Sequence, residues 1–240
     1  GDVYKRQGKD YDSANPPHYD SSTFHQKVLG GETQYDYARS GNPNRTLLEE
    51  KLARLEGGKY AFAYASGIAA ISAVLLTLNA GDHVILPDDV YGGTFRLTEQ
   101  ILNRFNIEFT TVNATHIDHI TEAIQSNTKL IYVETPSNPL FKITDIHAVA
   151  TLAKEHKILL AVDNTFMTPL GQSPLALGAD IVIHSATKFL GGHSDLIAGA
   201  AITNNREVAN ALYLLQNGTG TALSAYDSCC LLYTSPSPRD

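Results

Sequence analysis

Cysteine is nearly absent from this 240-residue chain. Its two copies, Cys229 and Cys230, lie side by side near one end. They offer no disulfide framework and no thiolate metal site, and no metal is expected. Long apolar runs are missing too. The longest apolar stretch, residues 68–78, is broken by Ser72 and Thr77 and is too short to cross a bilayer. Basic residues are in the minority, 18 Lys and Arg against 25 Asp and Glu, giving a net charge of −7. That balance argues against non-specific nucleic-acid binding, which needs a basic face. No leader segment is recognisable. The expectation is a cytoplasmic protein with neither nucleic acid nor membrane as partner.

The two ends read differently from the rest. Residues 1–7 and 229–240 have the wording of the two strands of one translated sequencing adapter, and are expected to be foreign tails. On that expectation residues 8–228 are the biological segment, and the natural chain continues past them. That segment holds no cysteine and is one charge unit more acidic than the whole.

Residues 8–45 are polar, rich in Pro, Gly and Asn, and without sustained periodicity. They predict an extended arm. Residues 46–55 set Leu48, Leu52 and Leu55 on one face and stop at Gly57-Gly58, the pattern of an amphipathic helix. Beyond it, short apolar runs at 60–64, 83–87, 108–112, 130–133, 158–162 and 180–184 alternate with helical patterns. Their consecutive β-branched and apolar residues suit strands covered on both faces. The fold class is therefore α/β, a mainly parallel sheet flanked by helices in one domain over residues 46–228. Chemistry in such sheets sits at the carboxyl ends of the strands.

Four features follow strands there. Lys188 comes directly after the run at 180–184, with Ser185 and Thr187 before it and Gly191-Gly192 after it. A partly desolvated lysine at a sheet rim can attack a carbonyl, and the two hydroxyls could donate to a phosphate. An exposed loop lysine is the commoner occurrence. Asp163 ends the run at 158–162, 25 residues before Lys188. A carboxylate there can keep a pyridine nitrogen protonated, although Asp after a strand more often caps a turn. Ser66-Gly67 joins the first strand to a helix that starts near Ile68, which makes an anion site or an ordinary cap. Tyr91, before Gly92-Gly93, could stack on a flat ring or lie half-buried on the surface. An amine, a ring-nitrogen partner, a phosphate cradle and a stacking ring on one sheet edge are together what pyridoxal 5′-phosphate (PLP) requires. A nicotinamide-binding oxidoreductase would instead need Gly-x-Gly-x-x-Gly after the first strand, and none follows residues 60–64. A binding module without catalysis remains the other reading.

The sequence also resembles the Cys/Met-metabolism PLP enzymes, the family of cystathionine γ-synthase, cystathionine β- and γ-lyases and methionine γ-lyase. The landmarks are Tyr35-Asp-Tyr-Ala-Arg-Ser-Gly-Asn-Pro43, Ser66-Gly67, Asp89-Val-Tyr-Gly-Gly93, Glu134-Thr-Pro-Ser-Asn-Pro139, Val162-Asp-Asn-Thr165 and Ser185-Ala-Thr-Lys188. The resemblance implies a fold-type I PLP-dependent transferase whose smaller C-terminal domain is missing here, together with its substrate-gripping arginine. It implies that Lys188 holds the cofactor aldehyde and moves protons, that Asp163 holds the ring nitrogen and that Tyr91 stacks on the ring. Ser66, Gly67 and Ile68, with Ser185 and Thr187, would bind the phosphate. Asn138 would sit by the phenolic oxygen and Thr165 near the ring. Tyr37 and Arg39 would reach the cofactor of a neighbouring subunit, in a dimer within a homotetramer. Asn44 stands where this arm usually has Thr. The implied activity is C–S bond chemistry on small amino acids in transsulfuration and methionine biosynthesis. Cystathionine β-lyase is favoured over γ-synthase or γ-lyase, and a non-catalytic PLP-binding fragment is the reading outside the family's reactions.

Overall fold

The computed structural model describes residues 16–26, 28, 30–31 and 33–234. The expected tail at 1–7, the start of the arm and residues 235–240 lie outside the described residues. The strands are β1 (Tyr60–Tyr64), β2 (His83–Pro87), β3 (Glu108–Val112), β4 (Thr128–Glu134), β5 (Leu159–Asp163), β6 (Ile181–His184) and β7 (Gly199–Thr203). They form one sheet in the order β1-β7-β6-β5-β4-β2-β3. The neighbours from β3 through β6 are parallel. β7 runs antiparallel to both β6 and β1, so β1 shares the direction of the other five. The carboxyl ends of β1–β6 therefore meet at one edge, where β7 begins.

Helices cover both faces because alternate residues of each inner strand are apolar on opposite sides. In β4, Leu130 and Tyr132 face one core, together with Ile71, Val74 and Leu75 of α2 (Gly67–Leu75) and Leu212 of α7 (Arg206–Gly218). Ile131 and Val133 face the other, with Val149 and Ala153 of α5 (Ile146–His156). Leu48 and Leu52 of α1 (Pro43–Leu55) pack on Val182 and Ile202 beside Leu231 of α8 (Ala225–Thr234). Shorter helices α3 (Gly92–Arg96), α4 (Ile117–Ala123) and α6 (Thr168–Gly171) complete the connections. No described helix is long and apolar enough to cross a membrane.

Three details differ from the sequence expectation. β7 was not anticipated. Its residues, Gly-Ala-Ala-Ile-Thr, have little of the β-branched bulk that marks the other strands. α1 starts at Pro43, inside the stretch expected to be arm, because the Asn42 side chain caps it by accepting from Asn44 N and Arg45 N. Asn at the cap followed by Pro in the first turn is a strong start. α8 runs through residue 228 to Thr234, so the expected boundary does not coincide with the end of an element. Leu231 is fully buried, and Lys51 Nζ donates to Leu232 O at 2.8 Å.

The arm is fastened at its root. Asn44 is fully buried: its Oδ1 accepts from Tyr19 N and its Nδ2 donates to Pro17 O, each at 2.9 Å. That is the work of an amide, and it accounts for Asn at this position. Arg45, also buried, donates to Ala38 O and Arg39 O.

Candidate active site

The turn after β6 carries Lys188. Its N–H donates to Ser185 O at 3.0 Å, and Gly192 N donates to Lys188 O at 2.8 Å, which closes a tight turn. Ala186 and Leu190 point into the core while Lys188 points out and is exposed. The partial desolvation expected of this amine is not found within the single chain, because the turn's inner positions take all the burial.

Asp163 ends β5, in register with Glu134 of β4 and Ile183 of β6. It is buried. Its Oδ1 accepts from Thr165 N at 3.0 Å and Thr165 Oγ1 at 2.5 Å, and its Oδ2 accepts from Tyr132 OH at 3.1 Å. Thr165 Oγ1 in turn accepts from Ser185 N at 2.8 Å. One line of hydrogen bonds thus runs from β4 through Asp163 and Thr165 to the turn that carries Lys188. Burial, then Asp163 and Glu134, hold the Tyr132 hydroxyl well above the usual phenol range, so it remains a neutral donor to Asp163. Deeper still, His184 Nε2 lies 2.5 Å from Glu56 Oε1, which also accepts from Asn164 Nδ2 at 2.9 Å. These buried groups tie the starts of both turns together.

The anion cradle is built by close approach. Ser66 caps α2, with its Oγ accepting from Ala69 N at 3.1 Å. The N–H groups of Gly67 and Ile68 open the helix, where no intrahelical acceptor exists. Gly67 lies directly on Ser185: a Cβ at Gly67 would sit 2.6 Å from Ser185 Cβ and 2.7 Å from its Oγ. Only glycine lets the helix start come so near that hydroxyl. From the other side Gly199 of β7 backs onto Ser66, and a Cβ there would overlap the Ser66 carbonyl. Thr187 also braces the turn. Its Oγ1 donates to Ala198 O at 3.2 Å and accepts from Ala198 N at 3.0 Å, which commits its proton to the backbone. Helix N–H groups and the Ser185 hydroxyl still suit a phosphate.

Tyr91 precedes α3, with its ring over Gly93, where a Cβ would overlap it. Tyr91 N donates to Glu134 Oε2 and Asn138 N to Glu134 Oε1, both at 3.0 Å. Burial, then neighbouring Asp163, push the Glu134 carboxyl up to about 8, against the pull of those two N–H groups. The sequence assigned no role to Glu134 or Tyr132. Glu134 had a usable signal, since it ends an apolar strand just as Asp163 does. Tyr132, in mid-strand, had none.

Tyr37 and Arg39 are not drawn into this cluster. Arg39 Nη1 donates to Asn217 O at 2.6 Å, on α7, and its guanidinium lies 5.3 Å from the Tyr37 ring centroid. The groups that do meet at the sheet edge fit PLP. The close approach of Gly67 to Ser185 makes a cradle for the phosphate, and Asp163, ringed by neutral donors, suits a protonated ring nitrogen. Lys188 supplies an exposed amine on the turn that also carries Ser185.

Comparison with known proteins agrees. The Cys/Met metabolism PLP-dependent enzyme family matches residues 3–233. Cystathionine beta-lyase MetC of Staphylococcus haemolyticus is 83% identical over 227 residues, 95% of this chain and 58% of that protein. Cystathionine gamma-lyase of Bacillus subtilis is 50% identical over 216 residues, 90% of this chain and 57% of that protein. The crystal structure of cystathionine gamma-lyase from Lactobacillus plantarum complexed with L-serine has a TM-score of 0.89 at 47% identity, covering 91% of this chain and 57% of that one. The chain thus spans less than three-fifths of the length of these relatives. On a family match over nearly all its residues, the chain belongs to the Cys/Met metabolism PLP-dependent enzymes.

Proposed function

We propose that the protein to which this chain belongs cleaves a carbon–sulfur bond of cystathionine with PLP, as a β-lyase. One observation carries the reading: the hydrogen-bonded line from Tyr132 through Asp163 and Thr165 to Ser185, which sets a buried carboxylate and the Lys188 amine on adjacent turns. Similarity to the staphylococcal β-lyase supports the choice of reaction.

When bound, PLP supplies an electron sink for a substrate carbon that loses a proton. Lys188 Nζ holds the cofactor aldehyde and moves that proton. The Asp163 carboxylate, with three neutral donors already on it, keeps a proton on the ring nitrogen. The Gly67 and Ile68 N–H groups and the Ser66 and Ser185 region bind the phosphate, while Thr187 holds the turn against Ala198. Tyr91 stacks on the ring, Asn138 serves its phenolic oxygen and Thr165 orients Asp163. Tyr37 and Arg39 serve the cofactor of a neighbouring copy in a homo-oligomer. Their position on the arm, apart from the Lys188 turn, supports this role.

The test is an assay on cystathionine, using this chain completed with the C-terminal portion of a relative. Homocysteine with pyruvate and ammonia supports the β-lyase reading. Cysteine with 2-oxobutyrate would make it a γ-lyase. Consumption of cysteine with an O-acyl-homoserine would make it a γ-synthase. Cofactor binding without turnover of any of these would leave a non-catalytic PLP-binding protein.

A further inference from the structure

We propose that Glu134 is a positioning residue whose one carboxylate holds the Tyr91 loop and the Asn138 loop in fixed relation across the sheet edge. The proposal rests on the PLP reading, in which those two loops flank the cofactor ring.

β4 and β2 are neighbours in the sheet. The segment ending in Tyr91 leaves β2, and the segment holding Asn138 leaves β4. Both are irregular backbone, so neither has a ladder to fix it. Glu134 is the last residue of β4, on a strand whose residues 130–133 are buried, which immobilises its backbone. Its two oxygens divide their work, Oε2 accepting from Tyr91 N and Oε1 from Asn138 N, each at 3.0 Å. Backbone N–H groups are the donors, so the carboxylate fixes the two main chains themselves. Each partner N–H lies at the residue whose side chain is wanted at the ring.

A second set of contacts joins the same loops farther out. Asp89 Oδ2 accepts from Ser137 Oγ and, at 3.1 Å, from Leu140 N. Lys142 N donates to Ser137 Oγ at 2.9 Å, and Lys142 Nζ pairs with Asp88 at 2.8 Å. These outer contacts hold the loops on the sheet without Glu134. The inner carboxylate therefore sets where Tyr91 and Asn138 stand, more than whether the loops fold. The side chains also grade the effect. Gln at 134 keeps one acceptor oxygen and turns an NH₂ toward the other N–H, so it releases one loop. Ala releases both.

The experiment uses the completed holoprotein and its Glu134→Gln and Glu134→Ala variants. Hydrogen exchange is followed in peptides covering residues 88–95 and 136–143. PLP affinity is measured by titration of the apoprotein, and the asymmetry of the bound ring by visible circular dichroism. Glu134→Gln is expected to speed exchange in one of the two peptides by about 10-fold, the scale of one lost buried hydrogen bond. Glu134→Ala should do so in both. The dichroism of the bound ring should fall in the same order, and kcat should fall more than KM rises. Should Glu134→Ala fail to fold, Glu134→Gln decides alone. Wild-type protein that binds PLP beside a Glu134→Gln variant with unchanged exchange, dichroism and kcat overturns the clamp and leaves the PLP reading intact. Wild-type protein that binds no PLP overturns both.

Discussion

Two regions bear residues proposed to serve the cofactor, and they are held in different ways. The turns after β4, β5 and β6 are anchored from within. Glu134, Asp163, Asn164 and His184 are all buried, and side-chain bonds link one turn to the next. The described part of the arm is anchored at its root, where Asn42, Asn44 and Arg45 are buried, and by surface bonds from Arg39 and Ser40 to Asn217, while Tyr37 is 43% exposed. Among the described residues the arm meets itself through an antiparallel bridge, Thr23 to Tyr37, flanking backbone bonds and the Phe24–Tyr35 ring contact. The sheet edge is thus preorganised within one chain, as a catalytic site requires. The arm leaves Tyr37 and Arg39 exposed, which suits the role toward a second copy proposed for them.

The sharpest way to break this comparison is to damage the edge at its electrostatic centre. Asp163→Asn keeps the shape and the Thr165 contacts but cannot hold a proton on the ring nitrogen. Turnover of cystathionine by the completed protein is expected to fall by at least ~100-fold, with much of the PLP retained. Near-normal kcat in that variant would remove Asp163 from the chemistry. A middle-sized effect is expected at Gly67→Ala. The added methyl must displace Ser185, a backbone-level clash worth about 1–3 kcal/mol of stability. Differential denaturation and PLP titration should show both a lower midpoint and weaker cofactor binding. An unchanged PLP affinity would mean that the α2 start and Ser185 do not form one cradle. The smallest effect belongs to the arm. Asn44→Thr places the usual residue of the family's arm there, but its hydroxyl is one atom short of the amide groups that reach Tyr19 N and Pro17 O. Its cost should be within ~1 kcal/mol, visible as faster proteolysis of residues 16–26 with PLP affinity unchanged.

Most of the edge was legible in the sequence because one physical signal repeats there: an apolar, β-branched run that ends in a polar residue. That signal located six strands and singled out Ser66, Tyr91, Asp163 and Lys188. It failed where the residues are small, since β7 is held by its register against β1 and β6 rather than by bulk. It says nothing of the Thr187 hydroxyl, which looks free in sequence but bonds Ala198 across the turn. It also missed Tyr132, whose role depends on a strand pairing that no local pattern reveals. Asn44 had no sequence-level account, because its partners lie 25 and 27 residues away. Exposure of Lys188 could not be read from its neighbours, which are the residues that take the burial.

The central claim is that this edge holds PLP through Lys188. The direct test is borohydride reduction of PLP-loaded protein, followed by digestion and mass mapping of every lysine peptide. The account predicts a pyridoxyl adduct on Lys188, absent from Lys188→Ala. Reduction that labels Lys51 or Lys142 instead, or an adduct that persists in Lys188→Ala, would contradict it.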